Sequence, residues 1–194
     1  MKKVLIFPGA FNPPHLGHVS AIQKTLQSYP FDEVWIIPSG RREDKKIVTS
    51  YEHRRALNEL FIEYLNTAIT TPVKLITDEL DDTEGKYTSE ILYQIKSQPD
   101  INFTQLIGTD GIIYLRQYLL DEQFTQEKFI VIKRSGHTIP KDMTFSDNVV
   151  FIDETSSEIS STAIRTMANA GDTDYERLLP LEIATYIKEY NLYK

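Results

Sequence analysis

The stretch of sequence that decides the fold is VLIFPGAFNPPHLGH, which covers residues 4–18 near the start of the chain. Its first four residues are apolar without alternation and run into Pro8 and Gly9, a pattern typical of a buried strand that ends in a turn. Apolar residues then recur at spacings of three, four and three, which define one face of a helix. These residues are Val19, Ile22, Leu26 and Tyr29. A strand, a loop and a helix in this order predict the first unit of a parallel α/β sheet.

The same alternation continues along the rest of the chain. Apolar runs predict further strands over residues 33–37, 73–76, 103–107, 129–132 and 149–152. Helical patterns lie over residues 57–65, 91–95, 112–120, 163–170 and 181–190. Because the strands lack in–out alternation, both faces of the sheet must be covered. The sequence therefore predicts an α/β fold with a doubly wound parallel sheet and C-terminal helices. We expect a single domain over residues 1–194, with the helical part beginning near residue 160.

Composition and charge exclude several classes of function. The chain has 194 residues, of which 41% are hydrophobic and 25% charged, as in an ordinary globular protein. It has no cysteine, which excludes disulfides, a thiolate nucleophile and Cys-based metal sites. The net charge of −7 argues against sequence-independent binding of nucleic acid. No apolar run approaches the ~20 residues of a membrane span, so we expect a cytoplasmic protein without a membrane partner.

The loop after the first strand carries the residues for binding phosphate. In doubly wound sheets, ligands bind beyond the carboxyl ends of the strands, where the strand order reverses. Gly9 permits close approach of the backbone to a ligand, and His15 and His18 face one way at the start of the helix. The helix N-terminus adds free N–H groups and a positive dipole end. The alternative is a metal-binding pair of histidines, but neither His53 nor His137 lies in the pattern of a third ligand.

A second group of polar residues precedes the C-terminal helices. Ser160, Ser161 and Thr162 follow Ile159, and Arg165 lies one helical turn further along. Ser and Thr before a helix are expected to cap it. The same hydroxyls and N–H groups can also bind a phosphate, which arginine contacts through two bonds. Together with the histidine loop, this group favours a triphosphate site shared by the two ends of the sequence.

Both groups resemble the signatures of a known enzyme superfamily. Residues 9–18 resemble the G-x-F-x-P-x-H-x-G-H signature of nucleotidylyltransferases, and residues 159–165 resemble their I-S-S-T-x-x-R signature. Within the superfamily, the chain is most similar to the bacterial nicotinate-mononucleotide adenylyltransferases. The resemblance implies a Rossmann-like nucleotidylyltransferase fold. It also implies that ATP and nicotinate mononucleotide react by direct in-line attack to give nicotinate adenine dinucleotide and pyrophosphate, a step of NAD biosynthesis. Mg²⁺ would be carried by the ATP phosphates, with no metal held by the protein alone.

The resemblance also implies roles for individual residues. The catalytic residues would be His15, His18 and Arg165. The ATP-binding residues would be Gly9, Ala10, Phe11, Gly17, Gly108, Asp110, Ile159, Ser160, Ser161 and Thr162. The acceptor-binding residues would be Lys45, Thr88, Tyr118 and Arg134, with Arg134 near a carboxylate of the acceptor.

Three departures from the family pattern bear on the acceptor. Residues 42–45 read REDK where the family often has Pro-Pro-His-Lys, Tyr118 stands where tryptophan is frequent, and Gly111 stands where asparagine is usual. The alternatives are therefore transfer to nicotinamide mononucleotide or to phosphopantetheine, and a nucleotide-binding regulator without turnover. A homo-oligomer is compatible with the sequence.

Overall fold

A computed structural model describes residues 1–40, 49–81, 94, 98–118, 121–133, 138–153 and 159–194. Within these ranges, six parallel strands form one sheet. They are β1 (Lys2–Gly9), β2 (Glu33–Pro38), β3 (Val73–Leu75), β4 (Ile101–Gly108), β5 (Phe129–Lys133) and β6 (Val149–Asp153). Their order in the sheet is β3-β2-β1-β4-β5-β6. β2 and β3 therefore lie on one side of β1, and β4, β5 and β6 lie on its other side. The predicted doubly wound parallel sheet is confirmed.

Seven α-helices and one 3₁₀ helix lie in the described part of the chain. They are α1 (Leu16–Ser28), α2 (Tyr51–Ala68), α3 (Asp78–Asp81), α4 (Thr109–Tyr118), α5 (Asp121–Thr125), α6 (Ser161–Asn169), the 3₁₀ helix (Thr173–Leu178) and α7 (Leu181–Glu189). The helix predicted over residues 91–95 falls almost entirely outside the described residues. Within the described ranges, no helix combines the length and apolar character needed to cross a membrane.

The buried residues of β1 explain why its apolar run does not alternate. Leu5 belongs to a large cluster that also contains Phe61 of α2, Ile164 of α6 and Ile183 of α7. Val4 and Ile6 point to the opposite face, where a smaller cluster also contains Trp35 and Ile37. Both faces of the central strand are therefore covered, as predicted. The C-terminal helices pack into the same core as β1, while the boundaries of the domain stay a prediction.

A buried carboxylate anchors the amino end of β2. Glu33 is 8% exposed and accepts a hydrogen bond from the Trp35 indole at 2.8 Å. Its carboxylate also pairs with the ammonium groups of Lys2 and Lys74. Burial alone would raise the pKa of Glu33, but these three partners outweigh it and lower the pKa from 4.5 to about 2. Glu33 therefore contributes stability as an ion.

We expect Glu33→Gln to lower the free energy of unfolding at pH 7 by about 1–2 kcal/mol. The full shift would correspond to ~3 kcal/mol, and we reduce it because the side chains of Lys2 and Lys74 are half exposed. The contribution is complete above pH 4.5 and is lost as the pH falls towards about 2. Urea unfolding at several pH values measures the difference between the variant and the wild type.

The matched control is Glu59→Gln, which removes an exposed ion pair with Arg55 and should cost less than about 0.5 kcal/mol. A cost of Glu33→Gln that stayed constant from pH 7 to pH 2.5 would show that the charge of Glu33 is not its source.

Candidate active site

Several of the predicted site residues in the described ranges lie at the carboxyl edge of the sheet. Gly9 ends β1 and Gly108 ends β4, the two neighbouring strands between which the strand order reverses. Asp110 lies exposed in the first turn of α4. The Thr109 hydroxyl donates to the carbonyl of Ile132 at 3.3 Å, which ties the start of α4 to β5. In doubly wound sheets, ligands bind beyond the carboxyl ends of the strands where the strand order reverses, and this edge is such a place.

The two motifs are in direct contact. We use "first loop" for residues 10–15, between β1 and α1, and "second motif" for residues 159–165. Arg165 Nη1 donates to the carbonyl of Asn12 at 2.7 Å, and Ser161 Oγ donates to the carbonyl of Pro13 at 2.8 Å. A Cβ on Gly17, just after the first loop, would lie 3.5 Å from Cβ of Ile159. Two segments almost 150 residues apart in sequence thus form one surface.

The carbonyl oxygens of four successive residues of the first loop are each held by a side chain. Arg54 Nη2 donates to Ala10 at 3.0 Å, and Asn58 Nδ2 makes a longer bond of 3.5 Å to Phe11. Arg165 and Ser161 bind the next two carbonyls. We call these four side chains and their acceptors the carbonyl clamp. Because the loop is bent, its carbonyl oxygens are not paired with a neighbouring strand. The four side chains supply the hydrogen bonds that buried carbonyl oxygens need.

Arg54 also joins the first loop to the segment after β2. It is 4% exposed, and its guanidinium donates to the carbonyls of Ser39 and Gly40 as well as to Ala10. Sequence reasoning missed Arg54 and Asn58, although a signal was available. They occupy polar positions on the apolar stripe of α2, which also contains Leu57 and Phe61. A charged or amide side chain on such a stripe needs a buried partner.

Phe11 has an unusual backbone and a buried side chain. Its φ of 42° lies in the left-handed region, which residues other than glycine rarely adopt. The ring is 1% exposed and packs against Phe7 and Phe61 at centroid distances of 5.3 and 6.1 Å. It also lies over Gly9, where a Cβ would come within 3.1 Å of it. Gly9 therefore makes room for this ring, and only the backbone of Phe11 is left for the predicted contact with ATP.

The two histidines are stacked at the N-terminus of α1. Their ring centroids lie 3.7 Å apart, and the backbone N–H of His15 donates to Nδ1 of His18 at 3.1 Å. Because an acceptor nitrogen carries no proton, this bond requires a neutral His18 ring with its proton on Nε2. Nε2 is then a hydrogen-bond donor. Gly17 is needed beside this pair, since a Cβ there would lie 2.9 Å from Nδ1 of His15.

The same bond bears on metal binding. The lone pair of His18 Nδ1 is used by the His15 N–H, so that atom is not available as a metal ligand. No group of three or more His, Cys, Asp or Glu side chains in the described ranges could hold a metal ion. The phosphate-binding interpretation of the pair needs no such group.

The second motif uses its hydroxyls mainly within the protein. Ser160 caps α6 by accepting from the N–H of Ala163 at 3.1 Å, and Thr162 Oγ1 accepts from Arg165 Nη2 at 3.2 Å. Ser161 is engaged with Pro13. The predicted capping is therefore present. The groups that the motif can offer a phosphate are the first N–H groups of α6 and the remaining N–H donors of Arg165.

The predicted acceptor residues are not located by the structure. Lys45, Thr88 and Arg134 lie outside the described residues. Tyr118 is the last residue of α4, and only its backbone is described. Their roles stay predictions.

The comparison with known families agrees with the two motifs. The model of the cytidylyltransferase-like family matches residues 6–167, which include the first loop and the second motif, so the chain belongs to this family. The predicted resemblance to nucleotidylyltransferases is thereby confirmed.

The chain is also similar to individual proteins that carry a more specific name. The chain is 32% identical to a Bacillus licheniformis protein named probable nicotinate-nucleotide adenylyltransferase, with 100% of both chains covered. It is also 32% identical to Bacillus subtilis nicotinate-nucleotide adenylyltransferase, again over 100% of both. The fold is similar to that of Plasmodium falciparum nicotinic acid mononucleotide adenylyltransferase complexed with NaAD. That match has a TM-score of 0.80 at 22% identity and covers 100% of this chain and 98% of the other.

We expect Arg54→Lys to lower the free energy of unfolding by about 2–3 kcal/mol, because an ammonium group cannot reach three carbonyls that a planar guanidinium can. Urea unfolding measures this loss. Arg55→Lys, at the exposed neighbouring position, is the matched control and should change stability by less than about 0.5 kcal/mol. Equal effects of the two substitutions would contradict a special role for the buried guanidinium.

Proposed function

We propose that the protein transfers the adenylyl group of ATP to nicotinate mononucleotide, giving nicotinate adenine dinucleotide and pyrophosphate. The observation that carries this proposal is the direct contact of the second motif with the first loop, through Arg165 and Ser161. The contact brings the N-termini of α1 and α6 to one surface, where a triphosphate needs donors. The names of relatives that match over their full length support the same reaction.

The proposed reaction needs no covalent enzyme intermediate. A phosphate oxygen of the mononucleotide attacks the α-phosphorus of ATP and forms the new P–O bond, while the bond to the bridging oxygen breaks and pyrophosphate leaves. The attacking oxygen is already anionic at pH 7, so no general base is required. Catalysis then rests on alignment and on stabilising charge on the phosphoryl oxygens. The Nε2–H of His18 and the guanidinium of Arg165 are the donors we assign to this task, with His15 beside them.

The remaining site residues take the roles that the family pattern suggests. We assign Gly9, Ala10, Phe11, Gly17 and residues 159–162 to the ATP phosphates, with Gly108 and Asp110 at the nucleotide. We assign Lys45, Thr88, Tyr118 and Arg134 to the acceptor. Mg²⁺ would neutralise phosphate charge and would be held mainly by the phosphates themselves, which requires no dedicated carboxylate cage.

The location and other partners rest on the sequence alone. A cytoplasmic location and the absence of nucleic-acid partners stay predictions from the apolar runs and the net charge. A homo-oligomer likewise stays a prediction.

The test of the proposed function is pyrophosphate release from Mg·ATP with a panel of acceptors. We expect the highest kcat/KM with nicotinate mononucleotide, and lower values with nicotinamide mononucleotide and phosphopantetheine. A higher kcat/KM with another acceptor would contradict nicotinate mononucleotide as the substrate and identify that acceptor instead. Binding of ATP without pyrophosphate release from any acceptor would instead identify a nucleotide-binding regulator.

We expect His18→Ala to lower kcat by about 10²–10³-fold, as for the loss of a donor that stabilises a developing oxyanion. The KM for ATP should change much less, because the donor acts mainly on the charge of the transition state. Steady-state pyrophosphate release measures both constants. His53→Ala is the control, since His53 contacts Tyr186 rather than the first loop and its loss should leave kcat within about twofold. Near wild-type turnover of His18→Ala would remove His18 from the mechanism.

A further inference from the structure

A tyrosine that follows the last helix reaches the first loop. The hydroxyl of Tyr193 donates to Oδ1 of Asn12 at 2.8 Å, although 181 positions separate the two residues in sequence. Asn12 is 3% exposed, and its own carbonyl accepts from Arg165. Asn12 is therefore held at its backbone by the second motif and at its side chain by Tyr193.

The hydroxyl of Tyr193 has a second partner. The side chain of Thr49, just before α2, also hydrogen-bonds it. With Thr49 as donor, the tyrosine proton is directed at Asn12, and the amide of Asn12 is fixed with its oxygen towards Tyr193. Burial raises the pKa of Tyr193 well above its usual range, although Thr49, Arg165 and Arg54 act in the opposite direction. The hydroxyl therefore keeps its proton and stays a donor throughout the working pH range.

The backbone after α7 is shaped to deliver this side chain. Asn191 and Tyr193 have φ values of 50° and 68°, both in the left-handed region. Between them, Leu192 is buried in the main core, and its N–H donates to the carbonyl of Ile187 at 3.0 Å. Such a conformation persists only where its surroundings determine it, and such positions cluster at functional sites. Here the conformation directs Tyr193 to the first loop.

We propose that Tyr193 is a positioning residue for the phosphate-binding first loop, which its hydroxyl holds in place through Asn12. The inference rests on the proposed adenylyl transfer. Tyr193 binds the first loop at Asn12, three positions before His15 at the end of that loop, and the loop leads directly into α1, which carries His18. Without the hydroxyl, Oδ1 of Asn12 would lose a partner in a buried position, and the loop would sample other conformations.

Tyr193→Phe tests the proposal, because it removes the hydroxyl and keeps the ring. We expect kcat to fall by about 5- to 20-fold, with the KM for ATP within about twofold of wild type. Hydrogen exchange of the backbone amides over residues 9–20 should become about fivefold faster or more. The matched control is Tyr186→Phe, which removes a hydroxyl that contacts Nδ1 of His53 at 3.0 Å. It should leave both kcat and the exchange of residues 9–20 unchanged.

A second variant examines the path through Thr49. We expect Thr49→Val to lower kcat less than Tyr193→Phe does, and the two effects not to multiply in the double variant, because both act on one chain of hydrogen bonds. Full multiplication of the two effects would overturn this chain. A Tyr193→Phe protein with wild-type kcat and wild-type exchange, whatever its melting temperature, would reduce Tyr193 to a packing role and overturn the proposal.

The exchange measurement also separates this inference from the proposed function. If the wild type releases no pyrophosphate with any acceptor, the proposed function fails. The positioning of the loop is then still decided by whether residues 9–20 exchange faster in Tyr193→Phe than in Tyr186→Phe. Faster exchange supports the role of Tyr193, and equal exchange contradicts it.

Discussion

The carbonyl clamp is the constraint on which the rest of the site depends. Residues 10–13 leave β1 in a bend that includes a left-handed Phe11, so their carbonyls cannot join a strand or a helix. Arg54 and Asn58 from α2 supply donors from one side, and Ser161 and Arg165 from α6 supply them from the other. The two helices are thereby tied to one loop. This fixes the position of His15 at the end of the loop and of the start of α1, which carries His18.

The clamp also affects the charge around the loop. Arg54 and Arg165 direct these hydrogen bonds to carbonyl oxygens, which are neutral, so these bonds add no negative charge beside either guanidinium. The N-termini of α1 and α6 add partial positive charge at the same edge. A protein with a net charge of −7 can therefore present a local positive field to a polyphosphate, since binding responds to the nearby charges more than to the total.

The sequence predicted those parts of the molecule that depend on local pattern. The apolar run from Val4 to Phe7 and the spacing of the later apolar runs were sufficient to predict the parallel sheet. The sequence motifs also predicted roles for His15, His18 and Arg165, which stay predictions, and the two motifs that contain these residues lie together. α3 and α5 span four and five residues, too few to show a helical period, and were not predicted. Tyr193 was missed as well, because its contact with Asn12 depends on tertiary packing that no local pattern encodes.

The distances along the chain between the members of the clamp have a consequence for folding. The donors lie 44, 47, 148 and 153 positions from the carbonyls they bind. Contacts at such separations form slowly, because the entropy of closing a long loop opposes them. A collapsed intermediate without docked α6 would therefore have little affinity for nucleotide. Nucleotide would then bind only the completely folded chain. At concentrations above the Kd, the free energy of unfolding would rise with the logarithm of the nucleotide concentration.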